Sequence, residues 1–449
     1  MIEYRNLRVA ILGAGSVGAQ VVSLLLEHGE ELAQRAGAGL ELVGVAVREL
    51  DAPRTADIPK HLLTTDAEAL IVGADIVIEL IGGLEPARSL ILAAIGSGAD
   101  VITANKALLA THGPELFEAA EQVGAQLYYE AAVAAAIPII RPLRDSLAGD
   151  RIKRIMGIVN GTTNFILDRM DTAGETLEAA LQTATELGYA EADPTADVEG
   201  YDAAQKAAIL ASLAFHTTVP IEMVYREGIT SVTLHQVEAA KKAGYVVKLL
   251  AIAERVSGVA DAQGAKVDGV SARVYPALVP RSHPLATVHG AKNAVFIEAE
   301  AAGDLMFYGA GAGGRETASA VLGDLVSAAR RHVIGGPGVA ESTHANLPIL
   351  PISSVTTRYQ ISLGVVDQPG VLAAIATLFS EHGVSIETVE QSVAAVSAAS
   401  GHPPTPGTGA TLVIGTHEAS EAALSATVTA LASSSVVSTV ASVLRVEGL

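Results

Sequence analysis

The sequence contains no cysteine and no tryptophan, and aromatic residues make up only 4% of it. Without cysteine, the protein cannot form disulfides, thiolate-ligated zinc sites or iron–sulfur clusters. It also lacks the thiol nucleophile with which aldehyde-oxidising enzymes form an acyl intermediate, so any aldehyde substrate is expected to be reduced. Hydrophobic residues still make up 50% of the chain. The cores must therefore consist of Ala, Val, Leu and Ile, which suits strands packed between helices.

Basic residues are scarce as well, with 29 Lys and Arg against 49 Asp and Glu and a formal net charge of −20. A surface of this charge repels nucleic-acid phosphates and anionic lipids, so we expect neither a nucleic-acid nor a membrane partner. The most apolar run, residues 131–140, is short and contains Pro138, so it cannot span a bilayer. The first predicted strand leaves no room for a cleavable signal before it, which favours a cytoplasmic protein.

A chain of 449 residues predicts two or three domains. Apolar runs at 8–12, 40–47, 76–81 and 100–104 predict buried strands, and helical patterns such as 19–34 separate them. This alternation is typical of an α/β protein with an N-terminal, Rossmann-type, doubly wound parallel sheet. We assign this nucleotide-binding domain to residues 1–148 and expect residues 309–333 to complete it.

Beyond residue 148 the pattern changes to longer helices and separate strands, which indicates an α+β domain for substrate binding, catalysis and dimerisation at 149–335. The Pro- and Gly-containing residues 336–357 are predicted to form a linker. Residues 358–449 follow a βαββαβ order that includes a Ser/Pro/Gly-rich loop at 397–409. That order is typical of a ferredoxin-like domain.

Glycines at 13, 15 and 18 lie between the first strand and the first helix. Glycine lets the backbone bend tightly and approach a pyrophosphate, and the helix N-terminus supplies N–H donors. The predicted cofactor-binding residues of this turn are Gly13, Gly15, Ser16, Val17 and Gly18. Arg48, at the end of the second strand, suits the 2′-phosphate of NADP, although Glu49 and Asp51 follow it and NAD stays open.

Three residues are candidates for proton transfer. Lys106 lies just past the carboxyl end of a predicted strand, where open parallel sheets bind their ligands. Asp202 and Lys206 are four residues apart and share one face of the helix predicted at 201–215. An ordinary surface ion pair is the simpler interpretation, but this helix contains no other charge and is therefore expected to be buried. A buried pair of this kind favours a catalytic role.

The chemistry that fits this pair is the oxidation of an alcohol. Hydride leaves the carbinol carbon for the nicotinamide, while the hydroxyl group loses its proton to a base. Lys206 is the predicted base, Asp202 orients it, and Glu191 is expected to bind a substrate ammonium group. The acidic residues at 191–202 therefore predict a substrate that carries an amino group.

Residues 184–206 resemble the signature of homoserine dehydrogenases, with these residues at the expected spacing: Gly188, Asp193, Pro194, Asp197, Gly200, Asp202 and Lys206. The segments Thr103-Ala-Asn-Lys106 and Val159-Asn-Gly-Thr-Thr-Asn164 are also similar to that family's, and the likeness covers about residues 8–335. The resemblance implies reversible reduction of L-aspartate 4-semialdehyde to L-homoserine with NADPH or NADH. This step lies on the path to threonine, methionine and isoleucine.

The same resemblance implies the roles of individual residues. Lys206 and Lys106 handle the proton, and the substrate lies at Gly188, Glu191, Asp197 and Asp202. Thr103, Lys106, Gly311 and Gly313 contact the cofactor. The family also binds a monovalent cation, usually sodium, which here implies the ligands Glu130, Val133, Ala135 and Ile137.

This sequence has Ala134, Ala135 and Ala136 where relatives commonly have glycine, so the cation site is altered if those positions need a positive φ. A plain apolar loop is the alternative. The twelve histidines show no pairs at metal-ligand spacing and predict no metal site.

The βαββαβ unit with Asp367-Gln-Pro-Gly370 before its first helix resembles an ACT domain, a module that commonly pairs across an interface and binds an amino acid. We expect feedback inhibition by L-threonine in a homodimer or homotetramer, with oligomer assembly alone as the alternative function of this domain. Two other functions are alternatives at this point. Hydroxyacid dehydrogenases share the ACT unit but carry the glycine fingerprint mid-chain, and a sensor that binds NAD(P) without turnover would not need Lys206.

Overall fold

The computed structural model describes residues 5–260, 266–335, 341–393 and 410–448. Its N-terminal part is a six-stranded parallel sheet in the order β3-β2-β1-β4-β5-β6. The strands are β1 (Leu7–Leu12), β2 (Leu40–Ala46), β3 (Leu63–Thr64), β4 (Ile76–Glu79), β5 (Asp100–Thr103) and β6 (Leu127–Tyr128). Strands β1, β4 and β5 are almost completely buried, and most of their residues are apolar, as is typical of a parallel sheet between helices.

Five helices connect these strands: α1 (Ser16–Glu27), α2 (Gly29–Ala36), α3 (Ala67–Ile71), α4 (Ala87–Gly96) and α5 (Lys106–Val123). The doubly wound sheet predicted from the sequence is confirmed. The single helix predicted at 19–34 is divided in two, because the backbone of His28 leaves the helical conformation before Gly29. Asn105 caps α5 by accepting a hydrogen bond from the backbone N–H of Leu108 at 3.2 Å.

The second part of the chain builds a mixed sheet in the order β12-β11-β7-β9-β10. Its strands are β7 (Ile152–Ile158), β8 (Tyr225–Arg226), β9 (Tyr245–Ala260), β10 (Lys266–Pro280), β11 (Lys292–Ala299) and β12 (Gly303–Ala310). Its helices are α6 (Gly161–Ala173), α7 (Leu177–Glu186), α8 (Thr195–Val198), α9 (Tyr201–Phe215) and α10 (Leu234–Lys242). The short strand β8 pairs with β10.

The long helix α11 (Gly314–Ile334) follows β12 and packs against α1 and α2 of the first sheet. The chain thus returns to the nucleotide-binding part after completing the second sheet. Helix α9 lies against β9, β10 and α5, and most of its residues are buried, as its nearly uncharged sequence predicts. No helix in the described ranges is both long and apolar enough to cross a membrane.

The C-terminal unit has the predicted βαββαβ order. It consists of β13 (Thr356–Val365), α12 (Val371–Glu381), β14 (Ile386–Val393), β15 (Ala410–Thr416), β16 (Ala419–Ser420), α13 (Glu421–Ala432) and β17 (Val437–Val446). The predicted loop at 397–409 lies outside the described residues. The strand order β17-β13-β15-β14 is that of a ferredoxin-like sheet.

This C-terminal sheet is continuous with the second sheet, which the sequence does not predict. Strand β17 pairs in parallel with β10, with Arg445 opposite Ala277 and Val446 opposite Leu278. The described part of the predicted linker also contacts β10, where the N–H of Val270 donates to the carbonyl of Pro348 and the N–H of Leu350 donates back to Val270. Residues 348–350 are therefore hydrogen-bonded to the second sheet, while 336–340 lie outside the described residues.

Candidate active site

The glycine turn between β1 and α1 has the geometry expected of a phosphate-binding turn. A Cβ atom on Gly13 would lie 2.7 Å from the carbonyl oxygen of Leu80, and a Cβ on Gly18 would overlap the carbonyl oxygen of Gly13. Around Gly15 there is open space, and α1 begins at Ser16 without a side chain that caps it. The first N–H groups of α1 are thus directed at a surface that a pyrophosphate can approach.

One buried carboxylate holds the two candidate lysines together. Asp202 Oδ2 accepts a hydrogen bond from Lys206 Nζ at 2.7 Å, and Asp202 Oδ1 lies 3.1 Å from Lys106 Nζ. Asp202 and Lys206 are each only 8% exposed, whereas the side chain of Lys106 is 41% exposed. Lys206 also donates to the carbonyl of Val159 at 2.7 Å. The three residues that the sequence singled out for proton transfer therefore form one cluster.

The two lysines keep Asp202 ionised. Burial by itself raises the pKa of Asp202, but the charges of Lys206 and Lys106 and the hydrogen bonds to the carboxylate outweigh it and lower the pKa to about 2. Asp197 shows the opposite behaviour, because burial raises its pKa and the nearby charge of Asp202 adds to that effect. The site therefore contains one firmly ionised carboxylate and a second one that binds a proton more readily.

Asn160 connects these two carboxylates, although from the sequence it is notable only as part of a segment similar to that of homoserine dehydrogenases. Its Nδ2 donates to Asp197 at 2.6 Å and to Asp202 at 2.9 Å. Its Oδ1 caps α6 by accepting from the N–H of Thr163 at 2.9 Å. The strand-to-helix position of Asn160 predicts the cap, but only the fold brings the two acids to it.

Glu79 is a second residue that sequence reasoning missed. It is fully buried at the end of β4 and accepts hydrogen bonds from the hydroxyl of Thr103 and the N–H groups of Ile81 and Gly82. Thr103 in turn accepts from the N–H of Asn105 at 3.0 Å. Glu79 thereby fixes the segment that starts α5 at Lys106. A lone acid in the otherwise apolar run Ile76–Glu79 was the signal for it.

Other predicted residues lie at the edge of the cluster. Gly188 follows the end of α7, and Glu191 is exposed on the segment that leads to α8. Within the described residues, Glu191 makes no hydrogen bond or ion pair with the lysines or with Asp202. The structure thus brings together Lys106, Asp197, Asp202 and Lys206, but it does not bring Glu191 into contact with them.

The segment with Gly311 and Gly313 lies between the glycine turn and the second sheet. A Cβ on Gly314 would lie 2.5 Å from the carbonyl oxygen of Ser16, so the start of α11 packs directly against the turn. Arg48 is exposed just after β2 and has no charged partner in the described part of the chain. Both features lie on the side of the first sheet where β1 ends.

The segment predicted to hold a cation has an unusual backbone. Ala134 and Ala135 adopt positive φ angles of 58° and 49°, a conformation that costs a residue with a Cβ about 1 kcal/mol. The carboxylate of Glu130 accepts hydrogen bonds from the N–H groups of Ile139, Ile140 and Arg141 and from the Arg141 side chain. No cluster of three or more His, Asp or Glu side chains suited to a metal occurs in the residues that the structure describes.

Comparisons with known proteins agree with this geometry. Family models match residues 13–130 as the NAD-binding domain of homoserine dehydrogenase, 138–326 as homoserine dehydrogenase and 359–433 as an ACT domain. The homoserine dehydrogenase of Corynebacterium glutamicum is 53% identical over 441 residues, which are 98% of this chain and 95% of that protein. This chain belongs to the homoserine dehydrogenase family. It is an NAD(P)-dependent oxidoreductase with a C-terminal ACT domain.

Solved structures of other homoserine dehydrogenases share the fold. The enzyme from Thiobacillus denitrificans is 38% identical and matches with a TM-score of 0.88, covering 99% of each chain. A hyperthermophilic archaeal homoserine dehydrogenase in complex with NADPH is 27% identical, with a TM-score of 0.59, and covers 74% of this chain and 99% of its own. The match to the Thiobacillus denitrificans enzyme extends over nearly the whole of this chain and so includes the C-terminal sheet.

Proposed function

We propose that this homoserine dehydrogenase reversibly reduces L-aspartate 4-semialdehyde to L-homoserine in the biosynthesis of threonine, methionine and isoleucine. The observation that carries the proposal is a single buried carboxylate, Asp202, that binds two lysines. When bound, the nicotinamide cofactor supplies the hydride to the aldehyde carbon or accepts it from homoserine. A protonated lysine donates its proton to the aldehyde oxygen during reduction, and in oxidation the same lysine takes the hydroxyl proton.

The two lysines have different surroundings and therefore different parts in this step. Lys206 uses two of its three N–H bonds on Val159 and Asp202, which leaves one for the substrate oxygen. Lys106 is more exposed and contacts the other oxygen of Asp202, so it can orient the substrate and pass protons to solvent. Asp197 is a partly buried acid that is linked to this pair through Asn160, and we assign it with Glu191 to the substrate ammonium group.

The test is the oxidation of L-homoserine by wild type and by Lys206→Ala. The variant is expected to lose at least a hundredfold in kcat, as for the removal of a general base, and to retain cofactor binding. Lys241→Ala is the matched control, because Lys241 is an exposed lysine in the same domain whose Nζ donates to the carbonyl of Asp171. Full turnover in Lys206→Ala, or no homoserine oxidation by wild type, would refute the assignment. Absence of homoserine oxidation by wild type would favour a sensor that binds NAD(P) without turnover.

We also propose that NADP is the preferred cofactor. Arg48 is exposed at the end of β2 without a charged partner among the described residues, and a similar archaeal enzyme was solved with NADPH. A guanidinium–phosphate contact contributes about 1.5–3 kcal/mol, so Arg48→Ala should lower kcat/KM for NADP roughly tenfold or more and leave NAD unchanged. An equal effect on both cofactors would argue against this role of Arg48.

A monovalent cation, most simply sodium, is proposed at the segment after Glu130. The positive φ angles of Ala134 and Ala135 turn successive carbonyls to different sides, which fits ligation by the carbonyl groups of Val133, Ala135 and Ile137. The Glu130 carboxylate already accepts four hydrogen bonds, so its contribution is to hold the segment in place. Replacing sodium by choline at constant ionic strength should lower the Tm, and an unchanged Tm would contradict the cation site.

Feedback inhibition by L-threonine at the ACT domain is supported by the start of α12 and by the contacts of β17. Helix α12 begins after Gly370 without a side chain that caps it, so its N–H groups are available to a carboxylate. On β17, Arg445 pairs with Glu421 of the ACT domain and with Glu227 of the second domain, at 2.9 Å for the latter. A domain retained for assembly alone does not require such a link.

The ion pair between Arg445 and Glu227 connects the ACT domain with the segment that carries Asp197. Ile229 lies two residues after Glu227, and its N–H donates to the carbonyl of Val198 at 2.7 Å. Val198 directly follows Asp197 in the chain. A change in the ACT domain that moves Arg445 therefore acts on the segment that carries Asp197. Glu227→Gln should keep the basal activity and weaken inhibition by threonine, and Glu238→Gln on α10 is the control.

If threonine has no effect on wild type, assembly becomes the better account of the ACT domain. The homodimer or homotetramer and the cytoplasmic location that the sequence favours stay predictions.

A further inference from the structure

Asn293 has a buried side-chain amide without a hydrogen-bond partner in the part of the chain that the structure describes. Its side chain is 0% exposed, and neither Nδ2 nor Oδ1 has a partner among the residues that the structure describes. Buried amide groups in folded proteins are nearly always bonded, because an unpaired one loses its bonds to water without replacement. An exception of this kind needs a physical explanation.

Its position in the fold is close to the catalytic lysine. Asn293 precedes Ala294, which pairs with Ile158 across β11 and β7. It therefore lies level with Val159, whose carbonyl accepts the hydrogen bond from Lys206. Side chains alternate along a strand, so Asn293 faces the same side as Val295 and Ile297, which share a hydrophobic core with α9.

The amide of Asn293 is covered by the segment at Gly311. A Cβ on Gly311 would overlap the amide of Asn293, so only glycine allows the backbone to lie there. Three residues further on, Gly314 packs on the carbonyl of Ser16 in the glycine turn. The segment 311–314 thus lies between the phosphate-binding turn on one side and Asn293 on the other. A dinucleotide that extends from the turn to Lys206 has to pass this segment.

We propose that Asn293 is a specificity-determining residue that binds the carboxamide of the nicotinamide ring once the segment at Gly311 has shifted to admit the cofactor. The side-chain amide of asparagine has a carbonyl acceptor and an NH2 donor side by side. A primary carboxamide has the same two groups, so the pair forms two complementary hydrogen bonds. The unpaired state of Asn293 in the free protein is then the state that precedes cofactor binding.

Asn164 is the matched comparison within this chain. It is also a buried asparagine, but its Nδ2 donates to the carbonyls of Val288 and Gly290, and its Oδ1 accepts from Lys248 at 2.9 Å. Its hydrogen bonds are satisfied within the protein, so it serves structure alone. A difference in cofactor affinity between the Asn293 and Asn164 variants therefore distinguishes a ligand-binding amide from a structural one.

The experiment measures cofactor dissociation constants in the absence of substrate. Wild type, Asn293→Leu and Asn164→Leu are titrated with NADPH and with its reduced 3-acetylpyridine analogue, in which a methyl group replaces the NH2 of the carboxamide. Wild type should bind the analogue roughly tenfold more weakly than NADPH, since one buried donor is lost. Asn293→Leu should bind both with similar affinity, roughly tenfold more weakly than wild type binds NADPH.

A second measurement is the Tm of the cofactor-free proteins. Leucine removes the unpaired amide, so Asn293→Leu should have a Tm equal to or a few degrees above wild type, while Asn164→Leu should have a lower Tm. If Asn293→Leu still discriminates between the two cofactors as wild type does, the proposal is wrong. Equal loss of Tm in the two variants would likewise assign Asn293 a purely structural role.

Discussion

Replacing Asn160 by serine removes the hydrogen-bonded bridge between the two carboxylates of the site but keeps the helix cap. The amide of Asn160 donates to Asp197 at 2.6 Å and to Asp202 at 2.9 Å, and its oxygen caps α6. Serine is as good a helix cap as asparagine, but its single hydroxyl cannot bridge two acids. Asn160→Ser therefore removes the bridge and leaves the helix start intact.

The two acids respond differently to the loss. Asp202 stays ionised, because Lys206 and Lys106 still contact its two oxygens. Asp197 loses the hydrogen bond that lowers its pKa, and burial and the charge of Asp202 then raise that pKa further. A hydrogen bond to a charged group contributes about 1.5–3 kcal/mol, and about 1.4 kcal/mol corresponds to a factor of ten in binding. We therefore expect KM for homoserine to rise at least about tenfold at pH 7 and more at lower pH, with a smaller change in kcat.

The assay is homoserine oxidation between pH 6 and pH 9, with kcat and KM determined separately. Asn160→Ala serves as a second variant that lacks the cap as well, and its stability should fall by a further ~1 kcal/mol, whereas Asn160→Ser should unfold close to wild type. A loss of kcat with unchanged KM, or a pH profile identical to that of wild type, would refute the role given to Asp197.

Two further predictions concern buried contacts outside this cluster. Burial raises the pKa of Asp324 to about 7 despite the nearby Arg141, so the stability that its protonated form provides is complete below pH 4 and is lost as pH rises through 7. The free energy of unfolding of Asp324→Asn relative to wild type should therefore increase by roughly 3 kcal/mol between pH 5 and pH 8 in denaturant titrations. An equal difference between the two proteins at both pH values would contradict this reasoning. Gly314→Ala places a Cβ 2.5 Å from the carbonyl of Ser16 and should weaken cofactor binding. Gly96→Ala is the control, because its Cβ has no atom within 4 Å and should leave cofactor binding unchanged. Equal Kd values of the two variants for the cofactor would show that the packing of α11 on the turn is unimportant for binding.

Elements whose sequence pattern is local could be predicted closely. Helix α9 runs from Tyr201 to Phe215 and most of its residues are buried, as its nearly uncharged sequence indicates, because a helix that is apolar on almost all sides packs inside the protein. The glycine turn and the alternation along β13 are equally local, since a turn needs particular residues and a half-buried strand needs period two. Asp202 and Lys206 could be predicted as site residues because they are the charged residues of a helix that is otherwise uncharged and mostly buried.

Contacts between distant segments could not be predicted in this way. Asn160 lies 37 and 42 residues from the acids that it bridges, and nothing in its neighbours in sequence indicates those partners. The same holds for β17, which has the pattern of any edge strand but extends the sheet of another domain at β10. Edge pairing depends on backbone groups that every residue has, so the identity of Arg445 gives no sign of it.

The candidate active site lies where the two sheets of the molecule meet, and this position bears on the proposed control by the ACT domain. Lys106 belongs to the first sheet through β5 and α5, whereas Asp202 and Lys206 belong to α9 on the second. The Lys106–Asp202 ion pair therefore depends on how the two sheets are placed relative to each other. The ACT domain joins the second sheet through the pairing of β17 with β10. Under the proposed regulation, we expect a ligand that shifts the ACT domain to act on Asp202 more than on Lys106 and so to change the distance between these two groups.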